Sequence, residues 1–255
     1  MQQISVVIIA KNEAHIIGKT LKSLHGLTDD IVLGDTGSTD NTIAISKSFG
    51  AHVESISWEG FGKTKNKALA FAKYDWVLFL DADEVIDDEF HNFLSTFSST
   101  EINTAYKIRY KSYISNKRVR YGEIGHLCKI RLFNKNVAKW DTAEIHEKLI
   151  FHSPVKKRIA DGYILHYHVN SLKEYAEKMS QYAELVAQKY YHNGKKASWF
   201  KLYLAPSYQF IVTYIFQLGF LDGRIGFITS FFASYYGFLK YHRLKELIEL
   251  GKTED

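Results

Sequence analysis

Trp76–Val85 reads WVLFLDADEV: five apolar residues run directly into Asp81, Asp83 and Glu84. Carboxylates this close repel and raise one another's pKa, so the step calls for a cation. The unbroken apolar run reads as a strand buried on both faces, since strands of a parallel sheet carry continuous Val/Ile/Leu rather than alternating residues.

Working outward, similar runs occur at ISVVII (4–9), DIVLG (30–34) and HVESI (52–56). Between them, Ile17, Leu21 and Leu24 recur at helical spacing, as do Ala68, Leu69 and Ala72. The pattern predicts a βαβαβαβ unit with a parallel sheet and crossover helices. Open sheets of this class collect ligands outside the carboxyl ends of their strands. Polar clusters follow three of these ends: AKNE, DTGSTDNT and DADE. Each alone is ordinary turn chemistry, but three on one sheet edge argue for a site.

Composition narrows the class. The chain has 255 residues, 46% hydrophobic and 24% charged, which suits a globular protein with its own core. One cysteine, Cys128, excludes an internal disulfide framework and a cysteine-type metal site, and points to a reducing compartment. The start, MQQISVVIIAKNEAHI, lacks a basic segment followed by a long apolar core, so a cytoplasmic location is expected. The net charge of +5 suits an anionic partner. The lysines are dispersed and match no nucleic-acid module, so nucleic acid is not expected as that partner.

Residues 104–168 read as further strands, among them TAYKIRY and HLCKIRLF. A helix follows, with Ser171 and Glu174 as a capping box, Gly194 at its end, and an apolar stripe of Leu172, Tyr175, Met179, Tyr182, Val186 and Tyr190. LYLAPSYQFIVTYIFQLGFL (202–221) has no charge, but its Pro, Ser and Gln residues suit the lipid centre poorly. With IGFITSFFASYYGFLKYHRLKELIEL it reads as a helical pair against a membrane surface. Trp199 and neighbouring Phe and Tyr residues would lie at headgroup level, with Lys201, Arg224, Lys240, Arg243 and Lys245 meeting anionic lipid. The alternative is an apolar hairpin packed on the core or in a homo-oligomer interface. The expected domains are 1–168 and a helical region, 169–255.

Asp81 and Asp83 at a strand end suit one hard cation, Mg²⁺ or Mn²⁺, shared with substrate phosphates. The Asp35–Thr42 loop suits a ribose or phosphate, with a helix expected to start at Ser38 or Thr39.

VVIIAKNE, DTGSTDNT, GKTKNKAL and LFLDADE, in this order, resemble the family-2 inverting glycosyltransferases of the GT-A fold. HEKL (146–149), ILHYH (164–168) and GFLDGRIGF (219–227) resemble its bacterial lipopolysaccharide-core β-glucosyltransferase branch. The resemblance implies a GT-A type nucleotide-binding sheet flanked by helices, followed by an aromatic-rich helical extension. It implies a nucleotide-sugar site formed by Ala10, Asn12, Glu13, Asp35, Gly37, Ser38, Lys65, Asn66, Asp81, Ala82 and Asp83. Lys65 stands where many relatives have arginine, and an ammonium cannot form a guanidinium's bidentate fork. The resemblance further implies Asp83 and His166 as ligands of the divalent metal, and a carboxylate base for the acceptor hydroxyl: Glu147 first, Glu144 second. UDP-glucose is the expected donor, with UDP-galactose the alternative, and a lipopolysaccharide-core or related glycolipid the acceptor. The expected location is cytoplasmic and peripheral to the inner leaflet of the inner membrane. Two rival classes share part of the pattern. A nucleotidyltransferase would show a glycine-rich loop after the first strand, where AKNEAHIIGK stands; a receiver-type Mg²⁺ module has no use for KTKN or the aromatic tail.

Overall fold

The computed structural model describes residues 3–142 and 147–251. The chain divides into two compact units, one comprising Met1–Tyr110 and Cys128–His166, the other Lys111–Leu127 and Tyr167–Asp255.

The first unit opens with the expected alternation: β1 (Ile4–Ala10), α1 (Ile17–Ser23), β2 (Ile31–Asp35), α2 (Thr42–Ser48), β3 (His52–Ser55), α3 (Phe61–Leu69) and β4 (Trp76–Asp81). β1 pairs in parallel with β2 and β4, and β2 with β3. Val6, Val7, Val32, Leu33, Val77, Leu78 and Phe79 are fully buried, which is why these strands read as unbroken apolar runs.

The sheet continues in antiparallel fashion. After β5 (Glu84–Ile86) and α4 (Asp88–Ser95) come β6 (Thr104–Ile114), β8 (Cys128–Asn134) and β11 (Lys156–Val169). The order is β3-β2-β1-β4-β8-β6-β11-β5. β8 joins the parallel half through Trp76↔Asn134 to Leu78↔Leu132, and β5 pairs with β11 through His166↔Glu84. A two-stranded ribbon, β9 (Ala138–Trp140) with β10 (Leu149–Phe151), supplies Trp140 to the core around Phe79 and Phe133. The Asp87 side chain accepts from Phe90 N and so caps α4. Gly162 has φ +86°, and a Cβ there would lie 2.2 Å from Phe90 N, so β11 passes α4 only as glycine.

In the second unit, β7 (Lys117–Val119) pairs with the end of β6 through Ser112↔Val119. α5 (Leu172–His192) has Ser171 Oγ accepting from Glu174 N, while Glu174 reaches back to Asn170 N. Its buried side is Tyr175, Ala183, Val186 and Ala187, and Leu172, expected in the stripe, is exposed.

The 202–221 stretch is not one regular helix. π-helical turns at Phe200–Leu204 and Val212–Phe216 flank α6 (Ala205–Ile211), and a 3₁₀ turn spans Gly219–Asp222 before α7 (Arg224–Gly251). Pro206 has no N–H to continue an α ladder, and the widened turns lie on either side of the segment that contains it. Among the described residues no helix is long and apolar enough to cross a membrane.

Candidate active site

The carboxyl ends of β1, β2 and β4 carry the three polar clusters. Ala10 pairs with Asp35 in register, and its carbonyl accepts from Thr36 N at 3.0 Å. Asp35 is buried, and its Oδ2 accepts from Gly37 N and Ser38 N, both at 3.0 Å. Gly37 has φ +95°, which a side chain would oppose. The AKNE loop is laced to this turn. Asn12, itself at φ +57°, accepts through Oδ1 from Thr39 N at 2.8 Å and donates its own N–H to Ser38 Oγ at 3.0 Å. Glu13 N donates to Thr42 Oγ1 at 2.8 Å. Because Ser38 and Asp40 serve these cross-loop bonds, and Asp40 Oδ1 accepts from Thr42 N, α2 begins at Thr42 rather than at Ser38 or Thr39.

The acidic step is held from both sides. Thr20 Oγ1 of α1 donates to the Ala82 carbonyl at 2.7 Å, and Asp81 N donates to Glu84 Oε2 at 3.1 Å, which pins the turn between β4 and β5. The chain itself supplies cations to this step. Arg131, on β8 and 2% exposed, donates through Nη2 to Asp81 Oδ2 at 2.6 Å and to Glu84 Oε1, and through Nε to the Tyr110 hydroxyl at 2.5 Å. Lys65, on α3 and 3% exposed, lies 3.4 Å from Asp81 Oδ1 and 2.6 Å from Glu147 Oε1. Its ammonium also sits 4.7 Å from the centre of the Trp140 ring.

This pairing sets the charges. Burial pushes the Asp81 carboxyl up, but the Arg131 guanidinium and then the Lys65 ammonium outweigh it and hold Asp81 well below the usual carboxylate range. Glu84 is raised, because burial dominates and the nearby Asp81 charge reinforces it against the pull of Arg131. Burial raises the Tyr110 hydroxyl well above its ordinary value despite the guanidinium beside it.

Asp83 is left facing a different partner. Its Oδ2 lies 3.3 Å from His166 Nε2, and the His166 ring packs edge-on to Tyr110 at 5.9 Å. The structure therefore brings together Lys65, Asp81, Ala82, Asp83, Glu147 and His166. Asn66, also expected at the nucleotide, is turned elsewhere: its amide donates to Trp140 O at 2.8 Å and accepts from Trp140 N at 2.9 Å, fixing β9 against α3. Glu144 lies outside the described residues. Arg131 and Tyr110 were not among the predicted residues. The sequence signal for Arg131 is a basic residue inside a strand-like run, HLCKIRLF, in a chain whose acidic step needs a cation.

Among the described residues no group of three or more His, Cys, Asp and Glu is arranged to hold a metal ion. A carboxylate and an imidazole 3.3 Å apart nevertheless fit an ion of the Mg²⁺/Mn²⁺ kind. Such ions take one or two protein ligands and complete their shell with water and substrate phosphate, and the imidazole leans toward Mn²⁺.

The sequence matches Glycosyl transferase family 2 over residues 5–163, and the chain belongs to that family. Its fold is of the GT-A type, and it is a glycosyltransferase. It is 29% identical over 258 residues to an uncharacterized glycosyltransferase of Rickettsia prowazekii (strain Madrid E), covering 97% of this chain and 88% of that one. The lipopolysaccharide core biosynthesis glycosyltransferase LpsC of Rhizobium meliloti (strain 1021) is 26% identical over 244 residues, covering 92% and 89%. A solved structure of glucosyl-3-phosphoglycerate synthase from Mycobacterium tuberculosis, with Mn²⁺, UDP-glucose and glycerol 3-phosphate, aligns over 44% of each chain at 26% identity and a TM-score of 0.34.

Proposed function

We propose that this chain transfers a hexose, glucose before galactose, from a UDP-sugar to a lipopolysaccharide-core or related surface glycolipid, with inversion at the anomeric carbon. The observation that carries the reading is the juxtaposition of Asp83 and His166 with the Lys65–Asp81–Glu147 cluster in a family-2 glycosyltransferase. The acceptor class is supported by the near full-length likeness to LpsC, described as a lipopolysaccharide core biosynthesis enzyme.

The loops of β1 and β2 offer Asn12, Glu13 and Asp35 to the nucleoside. Asp83 and His166 would hold a Mg²⁺ or Mn²⁺ ion, which supplies charge to the leaving diphosphate. Glu147 would take the proton of the attacking hydroxyl, and Lys65 holds that carboxylate beside Asp81. An inverting transfer passes through an oxocarbenium-like state, which a nearby carboxylate also favours. We place this reaction at the inner leaflet, with the enzyme peripheral to the membrane; the exposed aromatic residues between Trp199 and Phe238 support that placement.

Glu147→Gln tests the assignment. It is expected to keep UDP affinity within about twofold while the rate of sugar transfer falls by about 10²–10⁴, the usual contribution of a positioned base. Full turnover in the variant would remove Glu147 from that role and pass it to Glu144 or Asp141.

A further inference from the structure

The helical hairpin of the second unit exposes large apolar side chains. Contacts between its arms run antiparallel: Ser234 Oγ donates to Pro206 O at 2.8 Å, the Phe210 and Phe227 rings lie 5.6 Å apart, and the Tyr203 and His242 rings 5.8 Å. Its buried seam includes a set of small and hydroxyl-bearing residues, Thr213, Gly219, Gly226, Thr229 and Ser230, beside Leu202 and Pro206. A Cβ on Gly226 would lie 1.7 Å from Gly219 O, so the backbones meet there. Two of the seam hydroxyls bond within their own helical segments: Thr213 Oγ1 to Gln209 O at 2.9 Å, and Thr229 Oγ1 to Gly226 O at 3.1 Å.

The outward side is the apolar one. Phe200, Leu204, Tyr208, Ile211 and Ile215 recur at intervals of three and four and are all exposed, Phe200 and Tyr208 at 66% each. Phe216 beside them is 73% exposed. On α7, Phe227, Phe231 and Phe238 are exposed too. A helix on a water-soluble surface packs its apolar stripe inward. Close-packed small residues inside with aromatic and aliphatic residues outside is the arrangement of helices solvated by lipid.

The charge pattern selects the same occupant. From Lys195 to Lys240 the sequence has Lys195, Lys196, Lys201, Arg224 and Lys240 against one acid, Asp222. Asp222 is engaged internally, accepting from Arg120 N at 2.7 Å and Tyr121 N at 2.8 Å. Basic residues flanking an apolar segment complement anionic headgroups over acyl chains.

We infer that the Trp199–Phe238 hairpin beds into one leaflet of an anionic bilayer as a monotopic anchor, its Phe200–Phe216 stripe reaching the acyl layer. The inference rests on the membrane placement above but not on the chemistry of the active site. Embedding of this kind places a helical face roughly 5–10 Å into the leaflet, whereas electrostatic adsorption leaves the side chains in water.

The test uses the full-length protein and vesicles of phosphatidylcholine with equal parts phosphatidylglycerol, some with bromines on the acyl chains. The protein is expected to sediment with the vesicles and to stay bound in high salt. Acyl bromines should quench tryptophan fluorescence by an amount that Trp199→Phe removes. Phe200→Ser combined with Phe216→Ser should weaken partitioning by about tenfold or more per side chain, from the apolar area withdrawn from lipid. UDP affinity should be unchanged in that variant, which separates a failure of the anchor from a failure of the glycosyltransferase site. Release by salt without quenching would overturn the inference in favour of surface adsorption. Absence of vesicle binding, with a concentration-dependent oligomer that the double variant abolishes, would overturn it in favour of a second copy of this chain.

Discussion

The first unit and the helical hairpin of the second differ in what they bury and in what they expose. In the first, apolar strands fill the core, and the charges admitted to the interior, Lys65, Arg131 and Glu84, meet partners of opposite sign at the strand ends. In the hairpin of the second, small and hydroxyl residues lie inside beside Leu202 and Pro206, while Phe200, Phe216, Phe227, Phe231 and Phe238 are exposed. The difference teaches that burial has no single sign across this sequence. Under the anchor we infer, hydrocarbon would cover the exposed face of the hairpin.

The comparison breaks most visibly at Arg131. Arg131→Met would leave the buried Glu84 without its guanidinium and Asp81 with Lys65 alone, and should destabilise the first unit by about 3–5 kcal/mol, read as a fall in urea midpoint. Adding Glu84→Gln, which removes one of the stranded charges, should recover part of that loss. A smaller effect sharpens the other side. Gly226→Ala forces a methyl against Gly219 O and should cost roughly 1–3 kcal/mol by overpacking the seam. Gly237→Ala, on the same helix with nothing within 4 Å of the added methyl, should instead stabilise by about 0.5–1 kcal/mol. Thermal unfolding of the two variants in one detergent buffer compares them, and equal shifts would deny that the seam is close-packed.

Much of this was legible in the sequence, for physical reasons that also mark where legibility ends. β1, β2 and β4 are buried on both faces, so their apolar runs announce themselves, and the loops after them follow from the sheet class. The pairing of Asp83 with His166 follows β5 against β11, and the family motifs point to both residues. Arg131 and Tyr110 come from β8 and β6, and register between distant antiparallel strands is not written locally. The acidic step did announce a need for positive charge, but nothing in it says that a guanidinium from β8 supplies it. Asn66 stands in a motif with Lys65, yet one residue along a helix turns it about 100° away, onto Trp140. α2 starts late because its expected caps are spent on the AKNE loop, a competition between side-chain and backbone acceptors that local propensity does not rank. The 202–221 run looked like one helix by composition, and Pro206 breaks its ladder.

The central claim is that Asp83 and His166 grip a divalent ion through which a UDP-sugar's diphosphate is held. Isothermal titration of UDP into the protein with and without Mn²⁺ measures it directly. The account predicts binding that requires the ion and that Asp83→Ala weakens by about a hundredfold or more, in keeping with the loss of one ligand from a two-ligand site. Equal UDP affinity with and without Mn²⁺, or unchanged ion-dependent affinity in Asp83→Ala, would contradict it.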